Sequence, residues 1–335
     1  MELPKNRVHA DGSYCAVPAV GACMTIPSDP SLTNPSSTSW SRAGLTPAAV
    51  QALERLTTLH EGYAGVVAAL GCGPETIPAL TAILRHIDGS GIFEIRARAV
   101  AALAGLGADG ALIDFIDADH LVADPTARAG EEATVSIAAR ALKDSRNPRA
   151  FPALLKLAKR QPLQGAIEAL AAARREEAIP ALIRGLDEDD TRKTAASALV
   201  ALGRRARSAL AAVVAQPAES SSALRRRRVA MAVLADIGLA PWQTEVLRPL
   251  VEDADAEVSL HACRALLRAG GETTACRARL QELARVLRAP QKDVAVGLLS
   301  PPAAPPAPPA RPSTRPRRPV LHLKQTAVQT GSSAA

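Results

Sequence analysis

Along the middle of the chain, apolar helix-forming stretches return in register, each marked by an Ala-Leu type pair. The pairs are Ala69-Leu70, Ala102-Leu103, Ala141-Leu142, Ala169-Leu170, Ala198-Leu199, Val233-Leu234 and Ala265-Leu266. Their spacing runs from 28 to 39 residues with a mean near 33, and self-similarity at a period of about 20–50 residues marks stacked supersecondary units. Two further markers keep the same phase. Gly107, Gly203, Gly238 and Gly270 fall five residues after the first member of a pair, where a helix end favours a left-handed residue. Ahead of the apolar helices stand Ile77-Pro78-Ala79-Leu80, Phe151-Pro152-Ala153-Leu154, Ile179-Pro180-Ala181-Leu182 and the weaker Leu247-Arg248-Pro249-Leu250. Proline there suits the first turn, or a kink, of the first helix of a pair. Each unit therefore reads as two antiparallel helices. The helical region opens with Thr46 as N-cap and Pro47 at the first helical position, where the missing N–H costs nothing, and it ends near Leu299.

These units resemble HEAT repeats of the bacterial type related to phycobilisome-lyase (PBS lyase) repeats. The best copy runs Glu177-Ala178-Ile179-Pro180-Ala181-Leu182-Ile183-Arg184-Gly185-Leu186-Asp187, then Thr191-Arg192 and Ala196-Ser197-Ala198-Leu199-Val200-Ala201-Leu202-Gly203. The resemblance implies an all-α fold, an armadillo-type α-solenoid wound as a right-handed superhelix of about seven antiparallel helix pairs over residues 46–299. The stretches 108–145 and 205–240 are the irregular copies. A TPR array fits less well, because its spacing is stricter and its aromatic positions are empty here.

Composition agrees with helices that approach closely. The chain of 335 residues holds 70 alanines but only three Phe, two Tyr and two Trp. Alanine has the best helix propensity, and β-sandwiches or barrels need the β-branched and aromatic residues that are scarce here. Residues 1–45 are rich in Ser, Thr, Pro and Gly and read as a disordered leader. Residues 300–335 open with a proline run and carry Arg311, Arg315, Arg317, Arg318 and Lys324 with no acid beyond Asp293, which reads as a flexible basic tail. That tail accounts for about five of the seven net positive charges. Its Pro306-Ala307-Pro308-Pro309-Ala310-Arg311 fits a PxxPxR pattern read by SH3 domains, a match that proline-rich linkers also produce by chance.

No apolar run reaches the roughly 18 residues that span a bilayer. Cys15, Cys23, Cys72, Cys263 and Cys276 form neither a CxxC pair nor a disulfide framework, so a reducing, cytoplasmic setting is the simpler expectation. The minor alternative is an exported lipoprotein modified at Cys23, against which Asp11 and Pro18 interrupt the apolar stretch.

Candidate chemistry is sparse. Arg96, Arg192 and Arg227 each fall six residues before a marker pair, and the repeat resemblance implies a structural ladder in which each pairs with an inter-helix acid of the adjacent unit. Arg225, Arg226, Arg227 and Arg228 are consecutive and follow Arg204, Arg205 and Arg207. Four arginines in a row point around most of a helix, so Arg204, Arg205, Arg207, Arg225, Arg226 and Arg228 form a candidate basic patch for an acidic protein or for nucleic acid phosphates. Single-strand binding would also want stacking aromatics, and only Trp242 is near. The run Asp187-Glu188-Asp189-Asp190 reads as capping charge before a helix N-terminus. His60-Glu61 is a lone copy of a motif that deoxyhypusine hydroxylase needs several times. Glu257 and His261 lack the second His of a zinc HExxH. Neither a phosphate loop nor GxSxG is present, and Cys72 has no evident base. A tetrapyrrole groove and an alkylpurine glycosylase pocket would both want aromatics. The expectation is a non-enzymatic, monomeric scaffold or adaptor without cofactors that binds an acidic protein partner. Nucleic-acid association through Arg204–Arg228 and the tail is the alternative, and an enzyme or lyase subunit the weaker one.

Overall fold

The structure, a computed structural model, describes residues 40–300 apart from 59, 88, 271 and 272. The readings made for Cys15, Cys23, the proline run and the basic tail lie outside these residues. The chain divides into two compact units, Met1–Ala173 and Arg174–Ala335. The first contains α1 (Pro47–Thr57), α2 (Gly62–Cys72), α3 (Ile77–Arg85), α4 (Glu94–Gly105), α5 (Asp109–Asp117), α6 (Pro125–Ala141), α7 (Ala150–Arg160) and α8 (Gln164–Ala173). The second contains α9 (Ile179–Arg184), α10 (Asp189–Leu202), α11 (Arg207–Ala215), α12 (Ser221–Ile237), α13 (Gln243–Leu247), α14 (Ala256–Arg268), α15 (Thr273–Val286) and α16 (Gln291–Leu299). The fold is all-α, with no strand among the described residues.

Consecutive helices pair: α1 with α2, α3 with α4, α5 with α6, α7 with α8, α9 with α10, α11 with α12 and α15 with α16, while a 3-10 turn at Arg248–Glu252 extends α13 against α14. Within the first unit the second members pack on one another, α2 on α4, α4 on α6 and α6 on α8. Within the second unit α10 packs on α12, α12 on α14 and α14 on α16. All seven marker pairs fall on these second members or at their last turn. Ala69, Ala102, Leu103, Leu199, Leu234 and Ala265 are fully buried, so the small-large pair sits where two helices meet.

The described residues thus form eight helix pairs, one more than the markers count. The eighth, α15 with α16, has no Ala-Leu pair; α16 buries Ala295 in the core that it shares with Cys263, Leu266, Cys276, Leu280 and Leu283, and Leu298 and Leu299 pack against it half-buried.

Local signals act where the sequence places them. Thr46 Oγ1 accepts from the Ala49 N–H at 3.2 Å and Pro47 opens α1. Pro78 and Pro180 stand second in α3 and α9, each behind a 3-10 turn. Pro249 falls where α13 gives way to 3-10 geometry, as expected when a ring replaces a backbone donor. Gly107, Gly203, Gly238 and Gly270 all have positive φ, from 57° to 83°. The same position after Ala169-Leu170 is Arg174, and it too is forced to φ 50°, a conformation that costs a side chain about 1 kcal/mol or more. Arg174 is exposed, so Arg174→Gly is expected to stabilise the protein by about 0.5–1 kcal/mol despite glycine's greater chain entropy. Urea denaturation checks this, and a destabilised variant would refute it.

Candidate functional site

The arginines singled out by spacing lie on second helices and turn toward the first. Arg96 on α4 donates from Nε to the Leu84 carbonyl at 2.8 Å, and Arg227 on α12 donates to the Val214 carbonyl at 2.8 Å. Arg192 on α10 reaches the Leu186 carbonyl at 3.0 Å. Each carbonyl lies at or just past the C-terminal end of the preceding helix, where backbone acceptors have no intrahelical donor and the helix dipole favours a cation. Others repeat the device: Arg98 meets the Leu56 carbonyl in the last turn of α1, Arg160 the Ile116 carbonyl in the last turn of α5, and Arg207 the Ile237 carbonyl at the end of α12.

Of the three ladder arginines, only Arg227 meets an inter-helix acid of the adjacent pair. Arg227 holds Asp253 through two hydrogen bonds of 2.7 and 3.2 Å, and Asp253 lies between the helices of the next pair. Arg96 meets Glu131 at 2.5 Å, but that acid stands on α6 rather than in an inter-helix loop. Arg192 departs from the expectation altogether. Its partner is Asp189, three residues back on its own helix at 2.5 Å, while Asp187 of the loop before α10 pairs with Arg226.

Half of the basic patch is ion-paired. Arg226 pairs with Asp187 at 2.9 Å, Arg228 with Asp255 at 2.5 Å and Arg205 with Glu176 at 3.2 Å, while Arg207 is spent on the α12 terminus. Arg204 and Arg225 are the two exposed members for which the described residues show no ion partner. Asp255 also caps α14 through the Val258 and Glu257 N–H groups. Burial pushes its carboxyl up, but the Arg228 hydrogen bonds and these N–H donors outweigh that and leave it below its usual range. The acidic run is therefore split: Asp189 and Asp190 lie in the first turn of α10, and Asp187 answers an arginine one repeat away.

The histidine and cysteine candidates remain scattered. His60-Glu61 lies in the α1–α2 connection, where Glu61 meets Arg55 at 3.4 Å. His261 on α14 is held toward its neutral form by burial and then by Arg264. Cys263 and Cys276 are fully buried, and burial pushes the Cys263 thiol up to about 12. Among the described residues no cluster of three His, Cys, Asp or Glu is placed to hold a metal ion, and no single helix is long and apolar enough to cross a membrane.

A cleft of about 700 Å³ belongs to the first unit and lies between the 118–124 loop, α6 and the end of α7; Leu121, Val135, Leu157 and Leu163 are among its walls. Leu121 itself is 95% exposed. Beside it lies a charged cluster that sequence reasoning missed. Glu131, 2% exposed, takes Arg96 on one oxygen and His120 Nδ1 on the other, both at 2.5 Å. A signal for such pairs was available. The charge pairs linking different helix pairs are separated by 26 to 41 residues, which brackets the repeat period.

Fold and site together define an all-α protein of packed helix pairs whose arginines clasp neighbouring helices. A scan of protein-family models and a search of curated proteins find no match to the chain.

Proposed function

We propose that the chain is a HEAT-type α-solenoid serving as a non-enzymatic protein-binding scaffold. One observation carries this reading: four of the six patch arginines are engaged by other groups of the chain, while large apolar side chains stand in solvent. Tyr63 is 80%, Leu121 95% and Val286 72% exposed. Stacked repeats offer long surfaces for a protein partner because each unit buries itself only against its neighbours. The neutralised arginines weigh against nucleic acid. Arg204 and Arg225, the exposed patch arginines without an ion partner among the described residues, would contribute a salt slope of only about −2 in log affinity against log salt.

Fluorescence anisotropy with duplex DNA and single-stranded RNA, from about 50 to 200 mM salt, tests the choice. Arg204→Glu/Arg225→Glu is expected to change any such binding by no more than that slope, and to leave a protein partner recovered by affinity purification and mass spectrometry in place. Steep salt-dependent binding that disappears in the double variant, with the protein partner unaffected, would overturn the scaffold reading.

A further inference from the structure

The 118–124 loop joins α5 to α6 and lines the cleft with His120, Leu121, Val122 and Ala123. His120 ties this loop down at both ring nitrogens. Nδ1 lies 2.5 Å from Glu131 Oε1 on α6, and Nε2 lies 2.8 Å from the Phe115 carbonyl oxygen on α5. The Phe115 ring meets the imidazole edge-on with centroids 4.8 Å apart.

Both partners are acceptors. A neutral imidazole has one N–H and one lone pair, so it satisfies one of them and sets its lone pair against the other. The doubly protonated ring donates to both. Glu131 cannot supply the missing proton while ionised. Burial pushes its carboxyl up, yet the hydrogen bonds from His120 and Arg96 prevail and hold it below its usual value.

We propose that His120 is a proton-operated latch: with both nitrogens protonated it pins the 118–124 loop across α5 and α6 and sets the shape of the cleft, and on losing one proton it releases the loop. The charged groups around the ring come from four segments. Glu131 and Glu132 of α6 and Asp119 of the loop favour the charged ring, whereas Arg96 of α4, Arg128 of α6 and Arg160 of α7 oppose it. The two latter arginines are engaged by the loop itself, Arg128 on the Val122 and Ala123 carbonyls and Arg160 on the Ala118 carbonyl. The pinned state binds the extra proton, so it is favoured at low pH and lost as pH rises. This inference stands on the loop geometry and is independent of the scaffold reading.

The test uses the full chain. Nitrogen-15 spectra of the histidine rings, assigned with His120→Gln, are expected to show both His120 nitrogens protonated at about pH 6 and one at higher pH. Hydrogen exchange of amides 119–123, corrected for the intrinsic pH dependence, is expected to quicken roughly tenfold between about pH 6 and 8, the size of one lost charge-assisted bond. In His120→Gln the loop is expected to exchange rapidly at both values. A singly protonated ring at pH 6, or corrected exchange that does not change with pH, overturns the proposal. The wild-type measurements decide it even if the variant does not fold.

Discussion

Glu131→Gln is expected to cost about 3–5 kcal/mol of folding stability, the range for removing one partner of a buried ion pair. Glu131 is 2% exposed and Arg96 4% exposed, so the remaining guanidinium would face no counter-charge and no water. Its second terminal nitrogen is already buried without a partner, which leaves no alternative acceptor to turn to. The Nε bond to the Leu84 carbonyl would hold the side chain in place and prevent its escape to solvent. Urea denaturation followed by far-UV circular dichroism measures the loss, and a change below about 1 kcal/mol would show that the pair is not a structural centre of the first unit. Asp114→Asn provides the contrast. The Arg149–Asp114 pair is close at 2.6 Å, but the two side chains are 60% and 50% exposed, and water and salt reduce such pairs to about 0–1 kcal/mol. Burial rather than distance separates the two cases.

Gly165→Ala is expected to destabilise the protein by about 3 kcal/mol, against the helix propensity of the two residues. In an isolated helix the exchange gains up to about 1 kcal/mol. Here a Cβ on Gly165 would lie 1.7 Å from the Ser136 carbonyl oxygen and 3.1 Å from the Arg140 nitrogen. Both are backbone atoms of α6, so no side-chain rotation relieves the clash. The helices would have to part, breaking the 2.9 Å bond from the Gly165 N–H to Ser136 Oγ and opening the core around Ala138, Ala139 and Ala166. Overpacking of this kind costs about 1–3 kcal/mol, and more where backbone must move. Gly71→Ala on α2 meets nothing within 4 Å and is the control, expected to be neutral or stabilising. If both variants gain stability, the close approach of α6 and α8 is wrong.

These two sites show why some features could be read in advance and others could not. Thr46, Pro47, Pro78 and the positive-φ glycines obey rules that act within one turn of helix, so their roles follow from neighbours in sequence. Arg96, Arg192 and Arg227 were found by phase, since a repeated position carries a repeated task. Their partners were not. Asp187 looked like part of a capping run and Arg226 like part of a patch, yet they neutralise each other across 39 residues. Glu131 carries no motif, and His120 sits in the loop of the third helix pair, one of the two irregular copies.

Sequence alone thus determined the helical class, the period near 33 residues, the helix ends and the small-large pairs where helices meet, because propensity, capping and the sign of φ are local. Tertiary structure alone decided that the helical stretch forms two compact units, that four of the six patch arginines are engaged, and that Gly165 cannot take a methyl group. Each of these depends on which groups a neighbouring helix presents and how near it comes. The cost of leaving a charge unpaired or an atom overlapped is set by that distance and by the exclusion of water.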